Sequence, residues 1–208
     1  MGDEQRSAQH VTATAPGMDS RWTLRETVTI AVISVVFGML YLAWVQLWLF
    51  VQGLTGSLAM DVLFGFWFVG SIFAAYAIRK PGVAFATAVI ASIAEVLTGN
   101  PSGAILILTG VVQGAGAELP FALTRWRMYR LPVLLASGAS ASVFSFVYTW
   151  IRFSYWELDP GLLVLMFVLR VASGVLLGGL VGKFLADQVQ KTGVLNGFAL
   201  DVEKRRSG

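Results

Sequence analysis

Two carboxylates and an amide interrupt otherwise apolar stretches of the chain. Glu95 stands in one stretch, and Gln113 and Glu118 bound the run Gln113-Gly114-Ala115-Gly116-Ala117-Glu118 in the next. A charged side chain at mid-bilayer costs about 2.5–3.5 kcal/mol on insertion scales, so such residues face a bundle interior or a wet cavity and serve a substrate or ion. A carboxylate can balance a cation or accept from an amine, and an amide can both donate to and accept from the edge of a heterocycle. Arg170 is the one cation deep inside an apolar stretch, and its expected partner is Glu95 or Gln113. That pairing has a plainer reading as an internal salt bridge holding the helices together.

Aromatic residues gather near the same groups. Tyr41, Trp44 and Trp48 recur at i, i+3 and i+7, Trp67 lies in the next apolar stretch, and Tyr148, Trp150, Tyr155 and Trp156 surround a later loop. Trp48, Trp150 and Trp156 fall at headgroup level and fit an interfacial belt. Trp44 and Trp67 fall deeper and fit stacking walls. Aromatic faces beside a carboxylate and an amide suit a flat, cationic, nitrogen-rich ligand, with cation–π attraction of about 0.5–2 kcal/mol.

The elements that must position these groups are membrane helices. Of the 208 residues 56% are hydrophobic and only 13% charged, about half the charge of a soluble domain. Six apolar segments follow, approximately Thr27–Phe50, Asp61–Ile78, Gly82–Thr98, Gly103–Leu123, Pro132–Ile151 and Gly161–Leu185. Each approaches the ~20 residues needed to cross ~30 Å of hydrocarbon. The runs are continuous and do not alternate, which disfavours a β-barrel. The expected fold is therefore all-α, a compact polytopic bundle of six transmembrane helices over 22–186. Polar tails flank it, a disordered cytoplasmic one over 1–21 and a second cytoplasmic one over 187–208.

Lys and Arg set the orientation. Arg21, Arg25, Arg79, Lys80, Arg125, Arg127, Arg130, Lys183 and the C-terminal basic residues fall on one side, and Arg152 alone on the other. The positive-inside rule then places both termini in the cytoplasm. Glu95 lies roughly 5 Å and Gln113 roughly 15 Å below the outer surface, with Glu118 deeper. The net charge of +3 reflects this topology, and the basic residues lack the clustering of a nucleic-acid site. Glycines and small residues recur at four-residue spacing, as Gly174, Gly178 and Gly182, Gly110 and Gly114, and Ser34 and Gly38. Such stripes let backbones approach closely.

Enzyme readings fail on residue supply. The single histidine, His10, lies in the tail, there is no cysteine, and no G-x-x-x-x-G-K-[ST] occurs, so a Ser-His protease, a His- or Cys-ligated metal or haem and a P-loop ATPase are excluded. No cofactor is expected.

Ile78-Arg79-Lys80-Pro81-Gly82, then Ala94-Glu95 and Gly99, then Gly110 through Glu118 leading to Phe121 and Arg125, resemble the YkoE family. Its members are substrate-capture (S) components of energy-coupling factor (ECF) transporters for thiamine or its hydroxymethylpyrimidine (HMP) precursor. The resemblance covers about Trp22 to Lys183 and preserves the order and spacing of the motifs. It implies a cell-membrane subunit that binds the vitamin from outside and delivers it to a transmembrane coupling subunit driven by two ABC ATPases. S components in general meet that subunit through an Ala-x-x-x-Ala pattern on the first helix, where this chain offers Ala31, Ser34 and Gly38.

For thiamine, the resemblance and the residue chemistry together make Glu95 the principal anionic contact, Gln113 an edge reader, and Trp44 and Trp67 the stacking walls. Tyr41, Asn100 and Tyr148 are further contacts. Glu118 either joins them or pairs with Arg125 or Arg127, and Arg170 orients a carboxylate. Two alternatives remain, a solitary facilitator of vitamin entry and a membrane scaffold without a small ligand.

Overall fold

The computed structural model describes residues 21–56 and 58–207, and the N-terminal tail with His10 lies outside them except for Arg21. Every regular element among the described residues is helical. Helix α1 (Leu24–Thr55) starts on a capping box, in which the Thr23 hydroxyl accepts from the Glu26 amide and the Glu26 carboxylate accepts from the Thr23 amide. At 32 residues it is about 48 Å long, longer than the expected Thr27–Phe50.

The second apolar segment is not one continuous α-helix. It divides into α2 (Leu58–Leu63), a 3₁₀ stretch over Phe64–Phe68 and α3 (Val69–Ile78). Every residue of α3 is buried, as expected of a helix that is apolar all round and sits at the centre of a bundle. A tight turn through Arg79 (φ 59°) and Gly82 (φ 80°) leads to α4 (Val83–Leu97), and α5 (Ile105–Leu123) and α6 (Leu131–Arg152) follow. Helix α5 packs between α4 and α6, and α1 lies along the other side of α4.

The last apolar segment is likewise composite. Helix α7 (Pro160–Ser173) starts on the Asp159 cap, passes into a π-helical stretch over Gly174–Val181 and continues as α8 (Gly182–Lys191). Its glycines are internal contacts. A Cβ at Gly174 would collide with the Gly138 carbonyl of α6, and one at Gly65 with the Ser173 carbonyl. The two irregular stretches therefore meet backbone to backbone, joined by Ser173, whose hydroxyl accepts from the Gly65 amide at 2.9 Å and donates to the Val62 carbonyl at 2.6 Å.

Five helical stretches are long and apolar enough to cross a membrane, Leu24–Leu54, Leu58–Ile78, Ile105–Leu123, Leu131–Arg152 and Pro160–Lys191. Val83–Leu97 is a shorter apolar helix, about 22 Å long against the ~30 Å of a hydrocarbon core. Beyond α8, helix α9 (Ala199–Ser207) folds back on the bundle, burying Leu195, Phe198 and Leu200. Arg79–Glu203 at 2.6 Å and Lys204–Asp187 at 2.9 Å fasten it to α3 and α8.

Candidate functional site

Glu95, one turn before the end of α4, opens onto a cavity of about 170 Å³. Its side chain is almost wholly buried. Asn100 donates to its carboxylate at 2.6 Å, and the Trp67 indole of the 3₁₀ stretch stands beside it. The Asn100 amide is oriented by its other edge, because its oxygen accepts from the Ser102 backbone at 2.8 Å and only its amine can then face Glu95. The turn Gly99-Asn100-Pro101-Ser102-Gly103, with φ of 94° at Gly99 and 67° at Gly103, exists to bring this amide back over the helix end. Both partners of Glu95 are neutral, so the fold supplies this carboxyl with no counter-charge.

Gln113, two and a half turns from the start of α5, lines the same cavity and is buried. It makes no side-chain hydrogen bond among the described residues, so its donor and acceptor edges are available. Helix α1 supplies Tyr41, Val45 and Trp48 to the wall, α2 and the 3₁₀ stretch supply Met60, Phe64 and Trp67, and α6 supplies Tyr148, Thr149 and Arg152. The Tyr41 hydroxyl accepts from the Gly70 amide at 2.9 Å, which fixes the ring against the cavity.

A family described as the permease component of ABC-type cobalt transport systems matches residues 25–144. The Bacillus subtilis (strain 168) protein YkoE, provisionally named an HMP/thiamine permease protein, is 45% identical over 185 residues, 89% of this chain and 93% of its own length. A crystal structure of an S component of an ECF transporter superposes with a TM-score of 0.87 at 44% identity, covering 90% of this chain and 95% of that one. This chain belongs to the YkoE family of ECF S components. It is a multi-pass membrane protein of a transporter family that is not enzymatic.

Of the contacts expected from the sequence of this YkoE-family chain, Glu95, Gln113, Trp67, Tyr41, Asn100 and Tyr148 converge on one cavity. Trp44 does not. It stacks on Phe66 with centroids 4.0 Å apart and donates to the Leu63 carbonyl at 3.2 Å. Helical geometry explains the difference, since Trp48 lies about 20° around the helix from Tyr41 whereas Trp44 lies about 60° away in the same direction. Trp48, read from sequence as a belt residue, takes the wall position, and its i+7 spacing from Tyr41 was the available signal. Arg152 and Phe153 also reach the rim, and only the folding of α6 against α5 could reveal that.

Glu118 lies away from the cavity and pairs with neither Arg125 nor Arg127. Its carboxylate accepts from the backbone amides of Gly82 at 2.8 Å, Ala84 at 2.9 Å and Phe85 at 3.2 Å, and from the Trp126 indole at 2.5 Å. Helix α4 has a glycine at its N-cap and no capping side chain of its own. Glu118 supplies the missing acceptors, and its charge complements the positive end of the helix dipole. Two family motifs, Lys80-Pro81-Gly82 and the glutamate ending Gln113–Glu118, are thus the two halves of one cap.

Arg170 pairs with neither Glu95 nor Gln113. It donates to Asp61 through Nε at 2.6 Å, with Nη2 2.5 Å from the same oxygen, and to the Thr149 hydroxyl at 2.8 Å. The Phe64 ring covers the guanidinium at 4.2 Å. Asp61, at the start of the second apolar segment, is fully buried, because α2 packs on α7. Tyr155 lies beside this pair in the loop before α7, and burial pushes its phenol above the usual range.

The expected docking face on α1 is closed inside the chain. Ser34 is fully buried and donates to the Ile30 carbonyl, a Cβ at Gly38 would meet the Ala91 carbonyl at 2.8 Å, and Ala31 is half-buried. Gly38 thus lets α1 pack closely on α4, and neither it nor the buried Ser34 presents an open surface.

Proposed function

We propose that this chain is the substrate-capture subunit of an ECF-type ABC transporter and takes thiamine or its HMP moiety from outside the cell. Glu95 carries this reading. It is a buried carboxylate with only neutral partners, on a cavity whose other polar edge, Gln113, is unpaired and whose walls are aromatic. An aminopyrimidine presents an amine to Glu95 and ring nitrogens to Gln113, and a thiazolium supplies the balancing cation. Trp67, Tyr41 and Tyr148 flank the rings, and Asn100 aims the carboxylate.

In this reading the chain crosses the membrane six times, the short α4 included, with both termini cytoplasmic. The transmembrane domain covers 22–186, and 1–21 and 187–208 lie in the cytoplasm. A coupling subunit and two ABC ATPases supply the energy, and of the small residues on α1 only Ala31 keeps surface open to a partner. The absence of cysteine makes topology directly testable, since single cysteines at 128 and 157 should label from opposite sides. Titration of purified protein with thiamine and with HMP should give a saturable tryptophan-fluorescence change and heat. Silence with both would favour a scaffold role. Uptake into liposomes by this chain alone would favour a facilitator, whereas capture predicts uptake only with the partner subunits present.

A further inference from the structure

One cation near the cavity has no role in that reading. No Lys or Arg occurs between Arg25 and Arg79 or between Lys80 and Arg125, and Arg152 is the only one between Arg130 and Arg170. It ends α6 on the cavity rim. Its guanidinium lies over the Phe153 ring at 5.0 Å and near Tyr148 at 5.9 Å. Among the described residues it forms no hydrogen bond and no ion pair, although Glu157 and Asp159 lie in the loop that follows. Five N–H donors in a planar fork are therefore unspent.

A free cation on the wall repels a cationic ligand and gains nothing from a neutral one. An anionic group on the ligand removes the conflict. Thiamine and HMP each carry a primary hydroxyl, and its phosphate monoester is the anion that a guanidinium fork recognises best. The placement fits a ligand polarised end to end, because α4 with Glu95 and α6 with Arg152 flank α5 on opposite sides.

We propose that the cavity accepts phosphate monoesters of its ligand, Arg152 pairing with the phosphate while Glu95 and Asn100 hold the amino-heterocycle. This rests on the capture reading above. The same guanidinium chemistry could instead serve bilayer phosphates, since Arg152 is exposed.

The test is calorimetric titration of the intact chain, in detergent and in phosphatidylcholine nanodiscs, with thiamine, thiamine monophosphate, HMP and HMP phosphate. Wild type, Arg152→Gln and Arg152→Lys are compared. Each monoester should bind at least as tightly as its parent alcohol. Arg152→Gln should weaken the esters about tenfold or more while leaving the alcohols unchanged or tighter, and Arg152→Lys should recover part of the loss. An ester-to-alcohol affinity ratio that Arg152→Gln does not move would assign Arg152 to lipid headgroups and overturn the proposal. So would wild-type esters binding tenfold more weakly than the alcohols. Binding of the alcohols without the esters would sink this proposal alone, whereas binding of none of the four would sink the capture reading with it.

Discussion

Glu95 and Asp61 are both carboxylates enclosed within helices of a membrane protein, with 2% and 0% of their surface exposed. They differ in what neutralises them. Asp61 meets the Arg170 guanidinium, itself backed by Thr149 and covered by Phe64, so its charge is cancelled within the fold. Glu95 meets an amide and an indole, so its charge is stabilised but not cancelled, and a cavity lies in front of it. A buried charge with a buried counter-charge is architecture. A buried charge with only neutral donors leaves the last partner to arrive from outside.

The sharpest way to break this comparison is to remove one member of the closed pair. Arg170→Ala or Asp61→Ala strands a buried charge, and about 3–5 kcal/mol of stability should go with it, read as a large fall in the thermal unfolding temperature. The double variant Asp61→Leu with Arg170→Met should recover much of that loss, because a well-packed apolar pair often replaces a buried salt bridge at little cost. A double variant as unstable as the singles would mean that the pair contacts more than its own members.

Glu95→Gln should do the opposite. Thermal stability of the ligand-free protein should hold or rise, and thiamine affinity should fall roughly ten- to a hundredfold, the equivalent of one charge-assisted hydrogen bond. Neutral HMP should lose less. Equal losses for both ligands would show that Glu95 reads the aminopyrimidine alone and not the cation.

Glu118→Gln isolates the third carboxylate. It weakens a helix cap worth about 1–2 kcal/mol, so stability should drop modestly while affinity stays within about twofold. A large affinity loss at unchanged stability would move Glu118 into the site. The smallest effect is expected for Trp44→Phe, which keeps the stack on Phe66 and loses one hydrogen bond of about 1 kcal/mol. Trp67→Phe, which removes the indole N–H beside Glu95, should cost more affinity than Trp44→Phe.

Much of the site was legible along the chain because membranes make polar residues conspicuous. Glu95, Gln113 and Arg170 stand out of apolar runs, and the turn around Asn100 announces itself by two glycines and a proline. The pairings were not legible. Asp61 sits where the apolar run begins and so resembled an interfacial residue, until α2 folded onto α7 and enclosed it. Glu118 stood between a ligand contact and a pairing with Arg125 or Arg127 and is neither, and nothing along the chain reveals that the capless start of α4 lies beside it. Trp44 and Trp48 both fit the face of Tyr41 on spacing alone, and a difference of some tens of degrees around α1 separated wall from packing.

Composition and continuous hydrophobicity, read one residue at a time, were enough to determine an all-helical membrane protein with a handful of exceptional polar groups in its interior. Tertiary structure alone decided which of those groups neutralise one another and which face an opening. The reason is physical: transfer into the bilayer depends on the residue itself, whereas side-chain pairing acts over a few ångströms between residues that are 109 apart for Arg170 and Asp61 and only five for Glu95 and Asn100.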